Sequence, residues 1–316
     1  MINWGWINIK FRVAVPISGR ADRGLSEPII KRLSESSCFK VIIWETDDIH
    51  KGKLVDCLLL GNLHIKEDKP DIVLIVGDRI EMLGYAQAAF HNNIPIAHVY
   101  AGITGDAGTF DMVNRHVISL WSTYQFCDTI DATTHVTRLK LGAGQKAKAW
   151  TVGCTHMDDA RVDESMVPDN TYILVAYNPL TVENARELIK NDIDEITEHC
   201  FSCYDIDKII WVGPNNDPNN EYVRKLIAEK VSRYNQKCNN HITFYANDLD
   251  RAKFIGLVKN CKKFIGNSSC MYYEAPYFLQ PSQIISIGIR NKNRTFVTEY
   301  NASRLIVNIL ERELCE

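Results

Sequence analysis

Short, continuously apolar segments alternate with stretches of helical length along most of this chain of 316 residues. Ile72–Val76 and Tyr172–Tyr177 are two examples, each with the length of a strand and without alternating apolar and polar side chains. Such runs are typical of parallel strands, because helices cover both faces of a parallel sheet and bury every strand side chain. The alternation therefore predicts an α/β fold in which each strand is followed by a helix.

The alternation occurs twice, and a polar, loop-rich stretch around Pro168 separates the two series. We therefore predict two Rossmann-like domains that face a cleft, with a ligand at the carboxyl ends of the strands. An apolar stripe that includes Leu305, Ile306 and Ile309 predicts a last helix that packs back on the first domain. The predicted divisions are a first domain at 1–165, a second at 166–300 and the terminal helix at 301–316.

Charge and hydropathy disfavour several classes of protein. The 36 basic and 39 acidic residues give a formal net charge of −3 without a long block of either sign, which argues against a nucleic-acid-binding surface. No apolar run approaches the roughly 18 residues that a membrane-spanning helix needs. The first segment carries Lys10 and Arg12 among its apolar residues and lacks the order of a signal peptide. A cytoplasmic protein without a membrane partner is predicted.

Ten cysteines are scattered along the sequence without a repeating spacing. Cys200 and Cys203 form a close pair, but no second such pair follows at the distance that a zinc-binding module requires. In a reducing compartment such cysteines are mostly small core residues. No metal site is predicted.

Charged residues follow the strand Ile72–Val76 in the segment Gly77-Asp78-Arg79-Ile80-Glu81. The end of a strand is where α/β proteins hold ligands, so these side chains are candidates for binding or proton transfer. In a structural alternative, Asp78 caps the next helix and Arg79 pairs with Glu81. The position at a strand end favours a functional role.

A second group of polar residues follows the predicted strand Lys263–Ile265. The segment Gly266-Asn267-Ser268-Ser269 suits a phosphate, because glycine allows close backbone approach and serine hydroxyls donate hydrogen bonds. Glu274 is predicted to lie inside the next helix, where it can accept hydrogen bonds from a ribose diol. The alternative is a serine-capped helix with an incidental acid.

The early segment Ser18–Gly24 is predicted to be a turn between the first strand and the helix Ser26–Leu33. It brings Arg20 and Arg23 to the predicted cleft, and arginine binds phosphate through paired hydrogen bonds. The segment lacks the glycine spacing of a dinucleotide-binding loop. The alternative is an ordinary turn with solvated charges.

These segments, in this order, resemble those of the hydrolysing UDP-N-acetylglucosamine 2-epimerases over nearly the whole chain. The matching segments are Arg20-Ala21-Asp22, Gly77-Asp78-Arg79 with Glu81, Ile94–His98, Pro214-Asn215, Gly266–Ser269, Glu274-Ala275-Pro276 and Gly288–Arg294. The resemblance implies a GT-B-like fold in which the second domain holds UDP and the first faces the sugar. It also implies a homodimer or a higher homo-oligomer.

The resemblance further implies roles for individual residues. Asp78 and Asp111 would be the carboxylates of the sugar site. Ser268 and Ser269 would hold the diphosphate, and Glu274 would hold the ribose. The other residues implied to bind the UDP-sugar are Arg20, Arg79 and Arg290 near the phosphates, Asn215 near the uracil, and Asn178, Gly266 and Asn267.

The reaction implied by the resemblance inverts C2 of the sugar and releases UDP, by elimination to an unsaturated sugar followed by addition of water. One group takes the C2 proton and another delivers a proton to the opposite face, so carboxylates or histidines with pKa values near neutrality are required. Arginines stabilise the departing diphosphate. UDP or the UDP-sugar is therefore the expected ligand, and no cofactor is predicted.

Two positions depart from the family pattern. The family has His/Glu-Gly-Gly-Glu where this chain has Tyr100-Ala101-Gly102-Ile103, so Ile103 replaces a carboxylate, and Asp106 is a candidate substitute. Asn178 stands where the family has a histidine and does not titrate near neutral pH. Both changes remove a group that transfers protons. The sequence is therefore also consistent with functions other than epimerisation.

Three functions are consistent with these observations. The first is hydrolysing 2-epimerisation of UDP-N-acetylglucosamine or a close relative. The second is a GT-B glycosyltransferase that uses a UDP-sugar, because the same fold serves both reactions and transfer at C1 requires fewer proton-transfer groups. The third is a non-catalytic homologue that binds a UDP-sugar as a sensor or a partner subunit.

Overall fold

The computed structural model describes residues 10–104, 110–180, 182–202, 206–214, 218–237, 241–245, 249–291 and 294–315. These residues belong to two compact units. The first unit comprises residues 10–104, 110–158 and 297–315, and the second comprises the described residues between 159 and 296. Each unit contains its own parallel sheet.

The described part of the first unit contains the strands β1 (Phe11–Ile17), β2 (Phe39–Glu45), β3 (Ile72–Val76), β4 (Ile96–Val99), β5 (Tyr124–Cys127) and β6 (Lys148–Thr151). They form one parallel sheet in the order β2-β1-β3-β4-β5-β6. All residues of β3 are buried, because β1 and β4 flank this strand and helices pack on the sheet.

The helices that follow these strands are α1 (Arg20–Glu35), α2 (Leu54–Asp68), α3 (Ile80–His91), α4 (Phe110–Trp121) and α5 (Ile130–Gly142). The core between this sheet and its helices combines Val73 and Ile75 of β3 with Cys57 of α2 and Met82 of α3. Continuously apolar strands and one apolar face per helix are thus buried against each other.

The described part of the second unit contains β7 (Tyr172–Ala176), β8 (Lys208–Val212), β9 (His241–Tyr245), β10 (Lys263–Gly266) and β11 (Ile284–Ser286). These strands form a parallel sheet in the order β11-β10-β7-β8-β9. Its helices are α6 (Ala185–Phe201), α7 (Asn220–Lys237), α8 (Arg251–Asn260) and the short α9 (Cys270–Tyr273).

Successive residues of β7 enter two different apolar clusters. Ile173 and Val175 pack with apolar residues of α6, whereas Tyr172 and Leu174 pack with Leu257 of α8. Because neighbouring strand residues point to opposite faces, helices cover both faces of this sheet. The prediction of an α/β fold with parallel sheets is confirmed.

The helix α10 (Ala302–Cys315) belongs to the first unit and packs against α1, where Ser36 donates a hydrogen bond to Glu311 at 2.6 Å. The start of α10 is held by Asp158. Its carboxylate accepts from the backbone N–H groups of Asn301 and Ser303 at 2.9 and 2.7 Å. Within the described ranges, no helix is long and apolar enough to cross a membrane.

Two local predictions are wrong. The segment Ser18–Gly24 is not a turn throughout, because α1 begins at Arg20 after the extended residue Gly19. Asp22 is buried in the first turn of α1 and accepts a hydrogen bond from Ser18. An acidic side chain is favourable at this position, because it interacts with the positive end of the helix dipole. Glu274 does not lie inside a helix, because α9 ends at Tyr273 and a 3-10 turn over Ala275–Tyr277 follows.

Candidate functional site

The carboxylate of Asp78 lies two residues after β3, at the carboxyl edge of the first sheet. It forms an ion pair with the guanidinium of Arg115, a buried residue of α4. Arg115 also donates to the carbonyl oxygen of Ile103 at 3.2 Å. One buried arginine therefore joins the segment after β3 to the segment after β4 and orients the Asp78 carboxylate.

His98 supports the turn that carries Asp78. The fully buried imidazole donates from Nε2 to the carbonyl oxygen of Gly77 at 2.9 Å, and its Nδ1 lies 2.9 Å from the hydroxyl of Ser119. Gly77 has a φ of +80°, which glycine adopts without strain. Burial lowers the pKa of His98 to about 3, so the ring is neutral at physiological pH. The residue acts as a structural support for Asp78.

The side chain of Arg79 is half-exposed and lies 3.8 Å from the buried carboxylate of Asp22. Neither part of the structural alternative for this segment is found among the described residues. Arg79 itself is the N-cap of α3, and no side chain caps that helix. Glu81 is buried and accepts from the backbone N–H of Gly52 at 2.8 Å instead of pairing with Arg79.

The other candidates of the first half are less completely described. Asp111 is exposed in the first turn of α4, and Arg115 follows it one helical turn later on the same side of the helix. Arg20 is the first residue of α1, and its side chain lies outside the described part of the structure. Asp106 and Asn215 both lie outside the described residues.

A hydrogen-bonded cluster that the sequence did not suggest surrounds the hydroxyl of Tyr100, directly after β4. This hydroxyl accepts from the backbone N–H of Thr155 at 2.9 Å and lies 2.9 Å from the hydroxyl of Thr155. It also lies 3.0 Å from Nδ1 of His156. Tyr100 is buried and has a φ of +66°, so its backbone conformation is unusual for a bulky residue. The cluster connects the segment after β4 to the segment after β6.

In the second unit, Asn267 joins the segments that follow β10 and β7. Asn267 is fully buried. Its side-chain oxygen accepts from the backbone N–H of Asn178 at 2.7 Å, and its side-chain nitrogen donates to the Asn178 carbonyl at 2.9 Å. A buried amide with both ends paired is a structural clamp, and it orients the Asn178 backbone at the strand ends.

The segment that follows β11 is attached to the same clamp. Asn291 donates from its side chain to the carbonyl oxygen of Asn267 at 2.8 Å. Arg290 donates to the carbonyl oxygen of Pro179 at 2.6 Å. The predicted residues Asn178, Asn267 and Arg290 are therefore brought together at the carboxyl ends of the neighbouring strands β7, β10 and β11.

Gly266 ends β10 in a conformation that only glycine tolerates, with a φ of +147°. A Cβ atom there would lie 2.0 Å from the carbonyl oxygen of Ala176, so the approach of two strand ends requires this glycine. Ser268 follows and accepts a hydrogen bond from the Cys270 thiol at 3.0 Å. Ser269 is exposed at the N-cap of α9 and makes no side-chain cap.

The carboxylate of Glu274 is buried and only partly satisfied. One oxygen, Oε1, lies 3.5 Å from the guanidinium of Arg251. The other, Oε2, is buried and has no hydrogen-bond partner within the described part of the chain. Burial raises the pKa of Glu274, although Arg251 opposes that effect. A buried oxygen without a donor is costly, so this position suits a ligand that supplies hydroxyl groups.

No group of three or more His, Cys, Asp or Glu side chains in the described ranges is arranged to hold a metal ion. The ionisable groups of the two strand-end sites are instead paired with arginine, as in Asp78 with Arg115 and Glu274 with Arg251.

Curated relatives are similar to this chain over most of its length. A protein of Legionella pneumophila named UDP-N,N'-diacetylbacillosamine 2-epimerase (hydrolyzing) is 29% identical over 256 residues, which are 77% of this chain and 63% of the relative. A Campylobacter jejuni protein named GDP/UDP-N,N'-diacetylbacillosamine 2-epimerase (hydrolyzing) is 30% identical over 72% of this chain and 58% of the relative. The chain thus matches less than two thirds of the length of these relatives.

Solved structures share the fold. The S. aureus MnaA structure with UDP has a TM-score of 0.70 at 19% identity, covering 95% of this chain and 87% of that chain. The Neisseria meningitidis UDP-GlcNAc 2-epimerase bound to UDP-GlcNAc has a TM-score of 0.75 at 16% identity, covering 96% of this chain and all of that chain. At this level of identity the comparison establishes a common, GT-B-like fold.

The family model described as UDP-N-acetylglucosamine 2-epimerase matches residues 50–311. The match covers most of the chain and includes the strand-end segments that carry Asp78, Asn178 and Glu274. The resemblance seen in the sequence motifs is confirmed, and the chain belongs to the UDP-N-acetylglucosamine 2-epimerase family.

Proposed function

We propose that the chain is a hydrolysing 2-epimerase that converts a UDP-N-acetylhexosamine and water into UDP and a free 2-epimerised sugar. The observation that carries the proposal is the family match over residues 50–311, which includes both the Asp78–Arg115 pair and Glu274. A glycosyltransferase and a non-catalytic binder of a UDP-sugar are the alternative functions. The deciding experiment distinguishes both of them from a hydrolysing epimerase.

In this proposal the second unit binds the nucleotide. Glu274 accepts from the ribose hydroxyls, because its buried Oε2 has no other donor in the described part of the chain. Ser268 and Ser269 donate to the diphosphate, and Arg290 adds positive charge close to the same strand ends. Asn178, Asn267 and Gly266 support this site through the backbone arrangement of β7 and β10.

The first unit supplies groups for the sugar chemistry. In the elimination, the C2–H bond breaks, its electron pair forms the C1–C2 double bond, and the C1–O bond to the diphosphate breaks. Water then adds its oxygen to C1, and a proton returns to C2 on the opposite face. We assign one of these proton transfers to Asp78, which Arg115 orients, and keep Asp111 as a second carboxylate of the sugar site. Arg20 and Arg79 stay predicted phosphate contacts.

The names of the relatives indicate the substrate class, and a comparison of two UDP-sugars as substrates tests it. The Legionella and Campylobacter proteins are named for UDP-N,N'-diacetylbacillosamine, and the Neisseria structure holds UDP-GlcNAc. Both sugars are nucleotide-activated and N-acetylated, so we propose this class and test the two compounds side by side. A homo-oligomer and a cytoplasmic location stay predictions of the sequence.

The deciding experiment follows each UDP-sugar with the purified protein in D₂O by proton NMR. UDP release with solvent deuterium at C2 of the released sugar is the expected result, because the C2 proton is removed and replaced during epimerisation. UDP release that depends on an added acceptor would indicate a transferase. Saturable UDP-sugar binding without UDP release would indicate a non-catalytic binder, and either result would overturn the proposal.

A further inference from the structure

Two side chains of α4 hold the turn that carries Asp78, one directly and one through His98. Arg115 pairs with the Asp78 carboxylate. Ser119 lies one helical turn after Arg115, on the same side of α4, and its hydroxyl oxygen lies 2.9 Å from Nδ1 of His98. Both Ser119 and His98 are fully buried. The helix therefore acts on the segment after β3 at two separate points.

The direction of the hydrogen bond between Ser119 and His98 follows from the other nitrogen of the ring. Nε2 lies 2.9 Å from the carbonyl oxygen of Gly77, which only accepts, so Nε2 carries a proton and donates it. Burial lowers the pKa of His98 to about 3, so the ring carries only this one proton at neutral pH. Nδ1 then has a lone pair, and the Ser119 hydroxyl donates to it. Ser119 thus stabilises the tautomer that bonds Gly77.

Gly77 is the residue through which His98 acts on Asp78. Its carbonyl oxygen accepts from His98, and its backbone N–H donates to the carbonyl oxygen of Val99 at 3.1 Å. The Gly77 carbonyl belongs to the planar peptide unit that ends at the backbone nitrogen of Asp78. The hydrogen bond from His98 therefore sets the direction in which the Asp78 backbone leaves the strand.

Ser119 differs from other buried or half-buried serines on helices of the first unit. The hydroxyls of Ser26 and Ser34 donate to the carbonyl oxygen four residues earlier in α1, at 2.7 and 2.8 Å. A serine that bonds its own helix in this way affects that helix alone. The hydroxyl of Ser119 instead connects α4 to β4, and through β4 to the end of β3.

We infer that Ser119 is a positioning residue for the proton transfer assigned to Asp78, and that it acts through His98 and Gly77. The inference rests on the proposed function. Arg115 orients the carboxylate, whereas the contacts from Ser119 through His98 to Gly77 fix the backbone that carries it. Proton transfer requires the carboxylate at a defined distance from the sugar, so a displaced backbone slows turnover. UDP binding does not depend on this distance.

Ser119→Ala tests this role, because it removes the donor to Nδ1 and leaves the imidazole in place. We expect kcat to fall about tenfold, since a small displacement of a reacting group strongly reduces the rate. KM and UDP affinity should stay within about twofold, as expected for a change that affects the chemical step. Ser119→Thr keeps the hydroxyl and should retain kcat within about threefold of the wild type. A wild-type kcat in Ser119→Ala, or an equal loss in Ser119→Thr, would overturn the inference.

Ser122→Ala is the matched control. Ser122 directly follows α4, is as buried as Ser119, and donates its hydroxyl to the carbonyl oxygen of Ile118 at 2.7 Å. The two alanine variants lose the same atoms and should show similar decreases in melting temperature, but Ser122→Ala should keep the wild-type kcat. Equal losses of kcat in both variants would attribute the effect to destabilisation of α4 and contradict a positioning role.

Nitrogen-15 NMR tests the arrangement without turnover. The His98 resonances, assigned by their absence in His98→Gln, should show a ring that is protonated on Nε2 and accepts a hydrogen bond at Nδ1. Ser119→Ala should shift the Nδ1 resonance, and Ser122→Ala should leave it unchanged. A wild-type ring protonated on Nδ1, or an Nδ1 resonance that does not respond to Ser119→Ala, would refute the inference.

Failure of this inference is distinguishable from failure of the proposed function. The proposed function fails if the wild type releases no UDP from either sugar. The positioning role alone fails if the wild type is active and Ser119→Ala keeps the wild-type kcat.

Discussion

Arg115 determines where the Asp78 carboxylate lies. It is buried in α4, pairs with Asp78 and donates to the carbonyl oxygen of Ile103. The sequence suggested Asp78 because acidic residues at strand ends are frequently functional. It did not suggest Arg115, because arginines in a helical pattern are usually solvent-exposed and the partner lies 37 residues away.

Asp78→Asn tests the chemical role of this carboxylate. We expect turnover to be abolished while UDP affinity stays within a few-fold, because Asp78 is assigned to the sugar and is not one of the proposed contacts to UDP. Asparagine keeps an acceptor for Arg115, so the buried guanidinium is not left without a hydrogen bond. UDP release measures turnover, and calorimetric titration measures affinity.

The matched control is Asp71→Asn, which removes a carboxylate that is paired with the partly exposed Arg12 before β3. This control should keep turnover, since an exposed ion pair contributes little. Equal loss of turnover and UDP affinity in Asp78→Asn would mean that Asp78 has a structural role.

Glu274→Gln tests the proposed contact with the ribose. The amide keeps the size of the side chain but replaces one acceptor by a donor, so UDP affinity should fall about tenfold. Calorimetric titration of the wild type and the variant, each with UDP and with 2',3'-dideoxy-UDP, gives four affinities that form a double-mutant-type cycle. The analogue lacks the ribose diol and so removes the other partner of the proposed contact. The substitution should hardly change affinity for the analogue. An equal loss for both ligands would exclude a direct contact between Glu274 and the diol.

His98 predicts a specific acid sensitivity. Its pKa is lowered to about 3 by burial, whereas an unfolded histidine titrates near 6.5. Between these values the unfolded chain binds more protons, so the free energy of unfolding rises with pH up to about 6.5. From pH 7 to pH 5 this group alone removes about 2 kcal/mol of stability.

Urea unfolding of the wild type and His98→Gln at pH 5 and pH 7 measures this contribution. Glutamine can donate to Gly77 in place of Nε2, so the turn is retained while the titrating group is lost. The variant should lose less stability than the wild type on acidification. An identical pH dependence in both proteins would contradict the assignment of His98 as a buried neutral ring.

At the level of helices and strands, packing produced elements that the local sequence pattern did not predict. The polar segment that follows β1 suggested a turn, but Asp22 and Ser26 are buried in α1, where Ser26 bonds the carbonyl oxygen of Asp22 at 2.7 Å. The strand β6 has exposed and half-exposed residues because it is an edge strand. It therefore lacks the continuous apolar run that made β3 recognisable.

Asp158→Ala tests how α10 is held. Asp158 accepts from two backbone N–H groups at the start of α10, and removing such a cap lowers the free energy of unfolding by about 1 kcal/mol. Urea unfolding measures the change. Asp48→Ala is the control, because the Asp48 carboxylate is almost fully exposed, and it should leave stability nearly unchanged. Equal stability in both variants would show that the cap contributes nothing.

At the scale of the whole molecule, the predicted homo-oligomer has a candidate surface on α2. Val55, Leu59 and Leu63 are more than half exposed and recur every four residues, while the opposite side of α2 packs on α3. An exposed apolar stripe on a helix is typical of an association surface. The homo-oligomer that the sequence predicts is tested at this stripe, with a second copy of the chain as the expected partner.

Leu59→Glu should therefore shift the chain towards the monomer, because a charge would be buried against the partner. Sedimentation equilibrium measures the molecular mass. Leu141→Glu is the matched control, since Leu141 on α5 is exposed to 61% against 59% for Leu59. A wild type that is monomeric, or a Leu59→Glu variant that associates as the wild type does, would contradict this surface.

The sequence by itself determined the architecture and the family. Continuously apolar runs such as Ile72–Val76 predict parallel strands because burial on both faces requires them, and no long-range information is needed for that inference. The ordered motifs around Asp78, Ser268 and Glu274 identified the family. Their order along the chain is a property of the sequence alone.

The tertiary structure decided which side chains meet. Arg115 reaches Asp78, Tyr100 reaches His156, and the amide of Asn267 closes on the Asn178 backbone only after distant strand ends are brought to one edge of a parallel sheet. Burial of Glu274 with an unsatisfied oxygen is likewise a result of packing. Hydrogen bonds depend on distances of about 3 Å, and separation along the sequence does not specify such distances.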